Sequence, residues 1–468
     1  MAPPTYSSLF DPECIRRYDK AGPRYTSYPT APLFHEEFGE ADYRTWAGRG
    51  NEGRPLRPLS LYFHLPFCAT VCFYCACNKV VTRDRSRAAR YLERLTREIE
   101  LQGGLFDRGR TVDQLAWGGG TPTFLDHDQI RALMAATRRH FSLRNDDLGE
   151  YSVEVDPREA SAETIAVLRE VGFNRLSIGV QDFDPEVQRA VNRIQSEART
   201  LEVMEAARRT GFHSINVDLI YGLPFQNVER FARTLEKVIA AGPERLSVFN
   251  YAHLPERFKP QRRIRAEDLP PPAEKLAILG YTIERLTGAG YVYIGMDHFA
   301  RPDDELALAQ REGTLYRNFQ GYSTHADCDL VGLGVTAIGK VGESYSQNVR
   351  ELPSYYERLD AGRLPVFRGY ELDADDRLRR DVIMGLACNL GVAFPPIEKR
   401  YGIVFTDYFR RELSELAAMA ADGLVEIGGR EIRVAPPGRL LVRNLCMVFD
   451  RYLREQRAAP ARAYSRVI

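Results

Sequence analysis

The sequence predicts an α/β fold: a full or partial (β/α) barrel, preceded by an N-terminal arm and followed by a mainly helical C-terminal domain. Three observations carry this reading. From about residue 60 to about 300, short β-rich apolar runs alternate with amphipathic helical stretches. The first ~50 residues are rich in Pro, Tyr and Gly and have weak periodicity, so they read as an arm that packs against something else. Beyond about residue 370 the alternation gives way to charged amphipathic helices. The expected divisions are an arm at 1–55, the barrel at 56–345, a linker at 346–370 and the C-terminal domain at 371–468.

SLYFHLP (60–66), QLAWGG, EYSVEVDP, RLSIGVQDF, SINVDLIYGLP, RLSVFNY and YVYIGMDHF read as strands. Between them RAARYLERLTREIELQGGLF, DHDQIRALMAATRRHF, SAETIAVLREVG and NVERFARTLEKVIAAG read as helices, several ending on Gly. Repeated β–α alternation implies parallel strands joined by right-handed crossovers. About seven such units favour a barrel, whose functional residues gather at the carboxyl ends of the strands. LPERFKPQRRIRAEDLPPP (254–272) interrupts the pattern as a long connection near the rim. In the C-terminal domain DDRLRRDVIMGLACNL, DYFRRELSELAAMAADGL and PGRLLVRNLCMVFDRYLREQ read as helices, with a small β-hairpin from LVEIGG and EIRVA.

At 468 residues the chain exceeds one ordinary domain and can bury a large core. Lys plus Arg and Asp plus Glu both total 64, which argues against a basic nucleic-acid binder. A small anionic substrate needs only a local cationic pocket and is not excluded. No apolar run is long enough to span a bilayer, and MAPPTYSSLFDPEC lacks the pattern of a secretory signal, so a cytoplasmic protein is expected.

Four of the eight cysteines, Cys68, Cys72, Cys75 and Cys77, fall within ten residues. Such a cluster reads as a metal or redox site rather than a disulfide framework. Cys14, Cys328, Cys388 and Cys446 are scattered and read as buried small hydrophobes. In FCATVCFYCAC three thiolates with three and then two intervening residues can wrap one cuboidal iron–sulfur cluster. Since such clusters usually take four cysteines, one iron is left open to an exogenous ligand. The alternative is a structural zinc on four cysteines, to which a single tight run is less suited than two separated pairs. WGGGTPT (117–123) follows the second strand, and its glycines let backbone approach a ligand and donate N–H groups to a carboxylate.

The cysteine spacing, the aromatic Tyr74 before the third cysteine and the glycine-rich segment resemble the radical S-adenosylmethionine (SAM) superfamily. PRYTSYPTA (23–31), CNKVVTR, VEVDPRE, NRLSIGVQDF, VNRIQ, NVDLIYGLP, SVFNYAHLP, GMDHFARPDDELALAQ, RNFQGYSTHADCDLVGLG and the terminal SRVI narrow the resemblance. In order, and over essentially the whole chain, they resemble the oxygen-independent coproporphyrinogen III oxidase family. The resemblance implies a barrel of the radical SAM type, with Cys68, Cys72 and Cys75 ligating one [4Fe–4S] cluster and Cys77 close by without ligating. It implies two SAM molecules. Tyr62, Gly119, Glu154 and Ile338 match positions around the cluster-bound one, and Tyr62 and Glu154 are the positions taken as catalytic. Tyr74, Gly120, Thr121, Gln181, Arg193, Asp218 and Ala252 match positions around the second.

These residues also make chemical sense unaided. Glu154 and Asp218 lie near strand ends, where carboxylates can accept from an amino group or ribose hydroxyls; Gln181 offers an amide and Arg193 a fork for a carboxylate. Rim salt bridges or helix caps are the plain alternative for each. The reaction implied is loss of two propionate carboxyl groups of coproporphyrinogen III as CO2, leaving vinyl groups and giving protoporphyrinogen IX in haem biosynthesis. A flavodoxin-like reducing partner and a monomer are implied with it. Arg24, Arg262, Arg263 and Arg265 are candidates for the substrate carboxylates, and solvated surface is the commoner role of such a run. Asp297 and His298 end a predicted strand, which allows them to face the pocket, with a satisfied structural histidine the commoner role of His298; Arg24, Tyr25 and Tyr28 read as either a lid or plain packing. A haem-binding carrier of the same superfamily, or another radical SAM reaction on a tetrapyrrole, are the alternatives. The carrier's relatives generally lack the extra cysteine and the arm motif, and both are present here.

Overall fold

A computed structural model describes residues 6–53 and 55–456; the terminal SRVI (465–468) lies outside the described residues. The chain is organised around one sheet. Its main strands are β1 (Leu59–Leu65), β2 (Thr111–Gly119), β3 (Glu150–Val155), β4 (Arg175–Gln181), β5 (Ser214–Tyr221) and β6 (Arg245–Asn250), followed by β7 (Val292–Gly295) and β8 (His298–Ala300). The last four are β9 (Asp329–Leu333), β10 (Ile338–Val341), β11 (Ser344–Asn348) and β12 (Val366–Glu371). Their order is β7-β8-β6-β5-β4-β3-β2-β1-β9-β10-β11-β12. Neighbours from β6 through β1 to β9 are parallel, and the pairings beyond both ends are antiparallel.

This is the partial form of the expected barrel, because the described sheet does not close. YVYIGMDHF, expected as one more strand, folds back on itself. Gly295 (φ +149) and Met296 (φ +54) make the turn, and β8 returns antiparallel against β6. Alternation along 291–299 therefore belongs to two strands of a hairpin, and no parallel strand is left to bridge the gap.

The crossover helices form because their apolar residues share one face. On Val228–Ala241 the buried positions are Phe231, Thr234, Leu235 and Val238, an i, i+3, i+4, i+7 stripe. Asn227 caps its start through Arg230 N (2.9 Å), and Gly242 (φ +62) ends it in a left-handed turn. Under these helices lie Leu176, Ile178 and Val180 of β4 and Ile215, Val217 and Leu219 of β5, all buried. The period of two sends Ser177, Gly179, Gln181, Asn216 and Asp218 to the other face. That inner face is polar, which sets where chemistry can occur.

The segment 346–370, read from sequence as a linker, holds helix Leu352–Asp360 and most of β12, which pairs with β11 in the main sheet. Further on, Val425–Ile427 and Glu431–Val434 form the expected hairpin, joined by Gly391–Ala393 as a third strand. The final stretch is not one helix: Val442–Phe449 stops at Asp450 and Arg451–Gln456 begins anew. Asp450 caps the second piece, accepting from Tyr452 N (3.0 Å) and Leu453 N (3.2 Å). The arm reaches this break. Tyr25 and Tyr28 are buried; Tyr25 donates to Asp450 (3.0 Å), and the Tyr28 hydroxyl accepts from Arg451 N (3.1 Å). Packing, not a lid, is their role. Cys14, Cys328, Cys388 and Cys446 are all buried, as expected of small hydrophobes.

Glu98, on helix Ser86–Gly103, ties the first crossover to the far side of the sheet. It accepts from Tyr355 Oη (2.5 Å), Gly334 N (2.7 Å) and Asn348 Nδ2 (2.8 Å). Burial pushes its carboxyl from the ordinary 4.5 up to about 7. Between those values the folded chain binds more protons than the unfolded one, so this group's stability contribution falls as pH rises through the window. Glu98→Gln cannot ionise. The difference between wild type and variant in urea-unfolding free energy is expected to change by about 3 kcal/mol at most between pH 4.5 and 8. A difference that does not vary with pH would mean that Glu98 ionises normally.

Candidate functional site

Past the end of β1 the chain runs directly into the cysteine loop. Phe67–Cys68 pairs with Val80–Val81, through Val80 N to Pro66 O (2.7 Å) and Thr82 N to Cys68 O (2.9 Å), so residues 69–79 form a closed excursion. The glycine-rich segment is laced to the same stem: Gly120 N donates to Leu65 O and Thr121 N to Phe67 O, both at 2.8 Å. A Cβ on Gly120 would lie 2.6 Å from Pro66 C and 2.7 Å from Phe67 O, so only glycine allows this approach. Connections that follow β4 and β6 steady the loop. Asn192 Nδ2 donates to Val71 O (2.7 Å), Phe73 N to Val191 O (2.9 Å) and Gln261 Nε2 to Tyr74 O (2.9 Å). His64 is buried and its imidazole is pushed down by that burial. Its Nε2 donates to Asn78 O (2.9 Å), which leaves Nδ1 to accept from the Tyr62 hydroxyl (3.2 Å).

Cys68, Cys72, Cys75 and Cys77 line a cavity of about 170 Å³ at the carboxyl ends of the parallel strands. Thr121 Oγ1 lies 3.6 Å from Cys68 Sγ. The Cys75 thiol is held low, first by its hydrogen bond with the Cys77 thiol and then, against burial, by the Lys79 ammonium. Lys79 Nζ also donates to Cys75 O (3.1 Å) and Cys77 O (3.3 Å). Cys72 faces two guanidinium groups, with Arg158 Nη2 and Arg193 Nη1 each 3.6 Å from its sulfur.

The same cavity is lined by most of the other expected residues: Tyr74, Gly119, Gly120, Thr121, Glu154, Gln181, Arg193 and Asp218. Glu154 accepts from Gly119 N (3.1 Å), and burial pushes its carboxyl up to about 7. Asp218 accepts from Ser177 Oγ (2.9 Å) and Asn216 Nδ2 (2.8 Å), and burial raises it too. Gln181 sits at φ +68 beside a register shift between β4 and β5, with a buried Oε1 that lacks a partner. A second cavity of about 200 Å³ shares Glu154, Ser177 and Asp218 with the first and reaches the inner face of the sheet. Tyr62 lies close to Glu154 and Cys77, its phenol raised by burial and then by their charges.

Two expected residues lie elsewhere. Ala252, beyond the end of β6, and Ile338, the first residue of β10, do not line the cysteine cavity. Ile338 packs beside Phe34 and Tyr345 instead. The cationic candidates are mostly engaged: Arg24 with Asp297 (2.7 Å), Arg265 with Asp268 (2.7 Å), Arg262 with Pro255 O (3.1 Å), and Arg263 over the Phe73 ring (5.2 Å). His298 is not the satisfied histidine expected. Its Nδ1 is buried without a partner, and burial followed by the Arg317 charge pushes the imidazole down to about 3, so it is neutral. Sequence reasoning missed His64, Asp156 and Arg158, although the last two stand in the VEVDPRE motif quoted for Glu154.

The donor set fits an iron–sulfur cluster with an organic ligand. Four thiols from one loop line the cavity, Cys77 hydrogen-bonded to Cys75, and an unpartnered amide oxygen and a buried carboxyl face the same space. The loop stem is the part least able to yield. Gly120→Ala is expected to lower unfolding free energy by about 1–3 kcal/mol, while Gly48→Ala, whose added Cβ meets nothing within 4 Å, should not lower it. Equal effects of the two in denaturation would mean that the stem is compliant.

Residues 62–238 match the model of the radical SAM superfamily, and residues 372–441 that of the HemN C-terminal domain. The oxygen-independent coproporphyrinogen III oxidase of Pseudomonas aeruginosa is 56% identical over 95% of this chain and 96% of its own. That of Escherichia coli is 52% identical over 98% of both. The solved structure described as coproporphyrinogen III oxidase (HemN) from Escherichia coli, a radical SAM enzyme, superposes with a TM-score of 0.90 at 51% identity. It covers 95% of this chain and 99% of that one. This chain therefore belongs to the oxygen-independent coproporphyrinogen III oxidase family of radical SAM enzymes.

Proposed function

We propose that this enzyme oxidatively decarboxylates two propionate side chains of coproporphyrinogen III to vinyl groups, giving protoporphyrinogen IX in haem biosynthesis. The observation that carries the proposal is the convergence of the cysteine loop's thiols on a cavity also lined by polar groups, in a chain that matches its family over 95% of its length. When bound, a [4Fe–4S] cluster with SAM at its open iron supplies one-electron cleavage of the sulfonium to methionine and a 5′-deoxyadenosyl radical, able to take hydrogen from an unactivated C–H bond.

The chain's own part is holding, orienting and excluding water. Cys68, Cys72 and Cys75 hold the cluster. In this reading Tyr62, Gly119, Glu154 and Ile338 serve the SAM on the cluster, with Glu154 accepting from its ammonium group. An ammonium beside Glu154 favours the ionised carboxylate that burial alone disfavours. Tyr74, Gly120, Thr121, Gln181, Arg193, Asp218 and Ala252 serve a second SAM, to which the unpartnered Gln181 Oε1 offers an acceptor. Ala252 and Ile338 act in this scheme only through ligands that extend beyond the cysteine cavity.

A cavity of about 770 Å³ opens beside Tyr221 and Tyr251, with Arg16, Lys275 and His253 among apolar groups such as Ile15 and Leu276. Its size and mixed lining suit a tetrapyrrole bearing carboxylates. A flavodoxin-like electron donor, a monomeric state, a cytoplasmic location and the division into arm, catalytic domain and C-terminal domain belong to the same reading. Among the described residues no helix is long and apolar enough to cross a membrane.

The test is an anaerobic assay of reconstituted protein with coproporphyrinogen III, SAM and a low-potential reductant. The products are followed by chromatography and mass spectrometry. Protoporphyrinogen, CO2 and 5′-deoxyadenosine are expected from wild type, with product formation lost in Cys72→Ser. A cluster that cleaves SAM and leaves coproporphyrinogen untouched would overturn the substrate assignment while leaving the radical chemistry intact.

A further inference from the structure

Asp156, Pro157, Arg158 and Glu159 form a single turn just past the end of β3, and the turn's local chemistry aims a cation at one cysteine. Asp156 caps the turn, its Oδ1 accepting from Arg158 N at 3.0 Å. The Arg158 side chain folds back and grips the same carboxylate, with Nε 3.0 Å from Oδ1 and Nη2 2.7 Å from Oδ2. Such a fork fixes the plane of the guanidinium. Its Nη2 then lies 3.6 Å from Cys72 Sγ. Arg193 reaches the same sulfur at 3.6 Å and the same carboxylate at 2.8 Å. The side chains of Arg158, Asp156 and Arg193 are 18%, 8% and 7% exposed, so solvent screens them little.

The three cluster cysteines are therefore not equivalent. Cys68 has a neutral hydroxyl at 3.6 Å, and Cys75 has Cys77 with Lys79 beside it. Cys72 alone faces a pair of guanidinium groups held by one carboxylate, two positive charges against one negative. Arg193 has a second use in the proposed function, as a fork for a SAM carboxylate. Arg158 has none, and its grip on Asp156 does not depend on a ligand.

We propose that Arg158 is a positioning residue of the cluster: locked by Asp156, it orients the Cys72 thiolate and raises the potential of the bound [4Fe–4S] centre by stabilising its reduced, more negative state. Hydrogen bonds and nearby charge at cluster sulfurs are among the factors that set such potentials. In a site this buried a cation within hydrogen-bond reach of a thiolate acts through a low effective dielectric. The one electron comes from an external low-potential donor; no bond forms or breaks at Arg158. This inference rests on the cluster assignment made above.

The experiment is an EPR-monitored redox titration of the reconstituted protein without SAM, comparing wild type, Arg158→Gln and Arg158→Lys, with iron content measured on each. At full iron content, Arg158→Gln is expected to titrate at a clearly more negative midpoint than wild type. Arg158→Lys, which keeps the charge and loses the fork, should fall between the two. An unchanged midpoint in Arg158→Gln at full iron content overturns the inference, since a purely structural arginine would lower stability and leave the potential alone. Should Arg158→Gln fail to take up iron, the Arg158→Lys midpoint decides in the same way. Absence of a reducible [4Fe–4S] signal in wild type would instead sink the cluster assignment.

Discussion

Two backbone hydrogen bonds made beyond the ends of β1 and β2 govern the site. Strand pairing ends where Leu65 faces Gly119, yet Gly120 and Thr121 continue to donate to Leu65 and Phe67 after both strands have left the sheet. The cysteine loop and the glycine-rich loop thereby become one rigid double strand raised above the sheet. Every other part of the site is located relative to it: Glu154 reaches across to Gly119 N, Thr121 stands over Cys68, and the loop's far side is tied to Asn192 and Gln261. Gly120 has no room for a Cβ because this extension leaves no gap.

The second determinant is the use made of the two faces of the sheet. A parallel sheet covered on both sides normally reads as continuous apolar runs. Here β4 and β5 keep most of their apolar residues on the helix side and give most of the inner side to Ser177, Gln181, Asn216 and Asp218. Those groups mostly satisfy one another, as Ser177 and Asn216 do with Asp218. Their inward orientation costs hydrophobic burial, and the helix-side core supports the strands in exchange. The few atoms left without partners, Gln181 Oε1 and Arg193 Nε among them, mark where that internal satisfaction stops.

Legibility in the sequence followed the range of the interactions involved. The cysteine run, the glycine-rich segment and the strands up to β6 were readable because spacing and period are local properties. Residues 291–299 read as one strand in the sequence because a hairpin whose turn falls at Gly295 and Met296 carries the same alternation on both sides. The break at Asp450 was hidden for a different reason: its cause is an aspartate cap also used by Tyr25, far away in the chain. Arg158 belongs to the VEVDPRE motif, but its bearing on Cys72 depends on a turn geometry that residue types alone do not reveal. The wall residues of the cavity were named through family resemblance, and composition or period would not have picked Gln181 over its neighbours.

The arm's contacts have a consequence for the order in which the chain can be finished. Tyr25 and Tyr28 precede the sheet in the chain, and the groups they meet, Asp450 and Arg451, lie 425 and 423 residues further on. For most of synthesis the arm has no native partner, and its two aromatic rings must wait while the sheet and its helices assemble beside it. Closing so long a loop is entropically slow and comes late. Docking of the arm is thus coupled to the appearance of residues 450 and 451, and a chain cut before them would keep its cysteine loop while leaving Tyr25 and Tyr28 undocked.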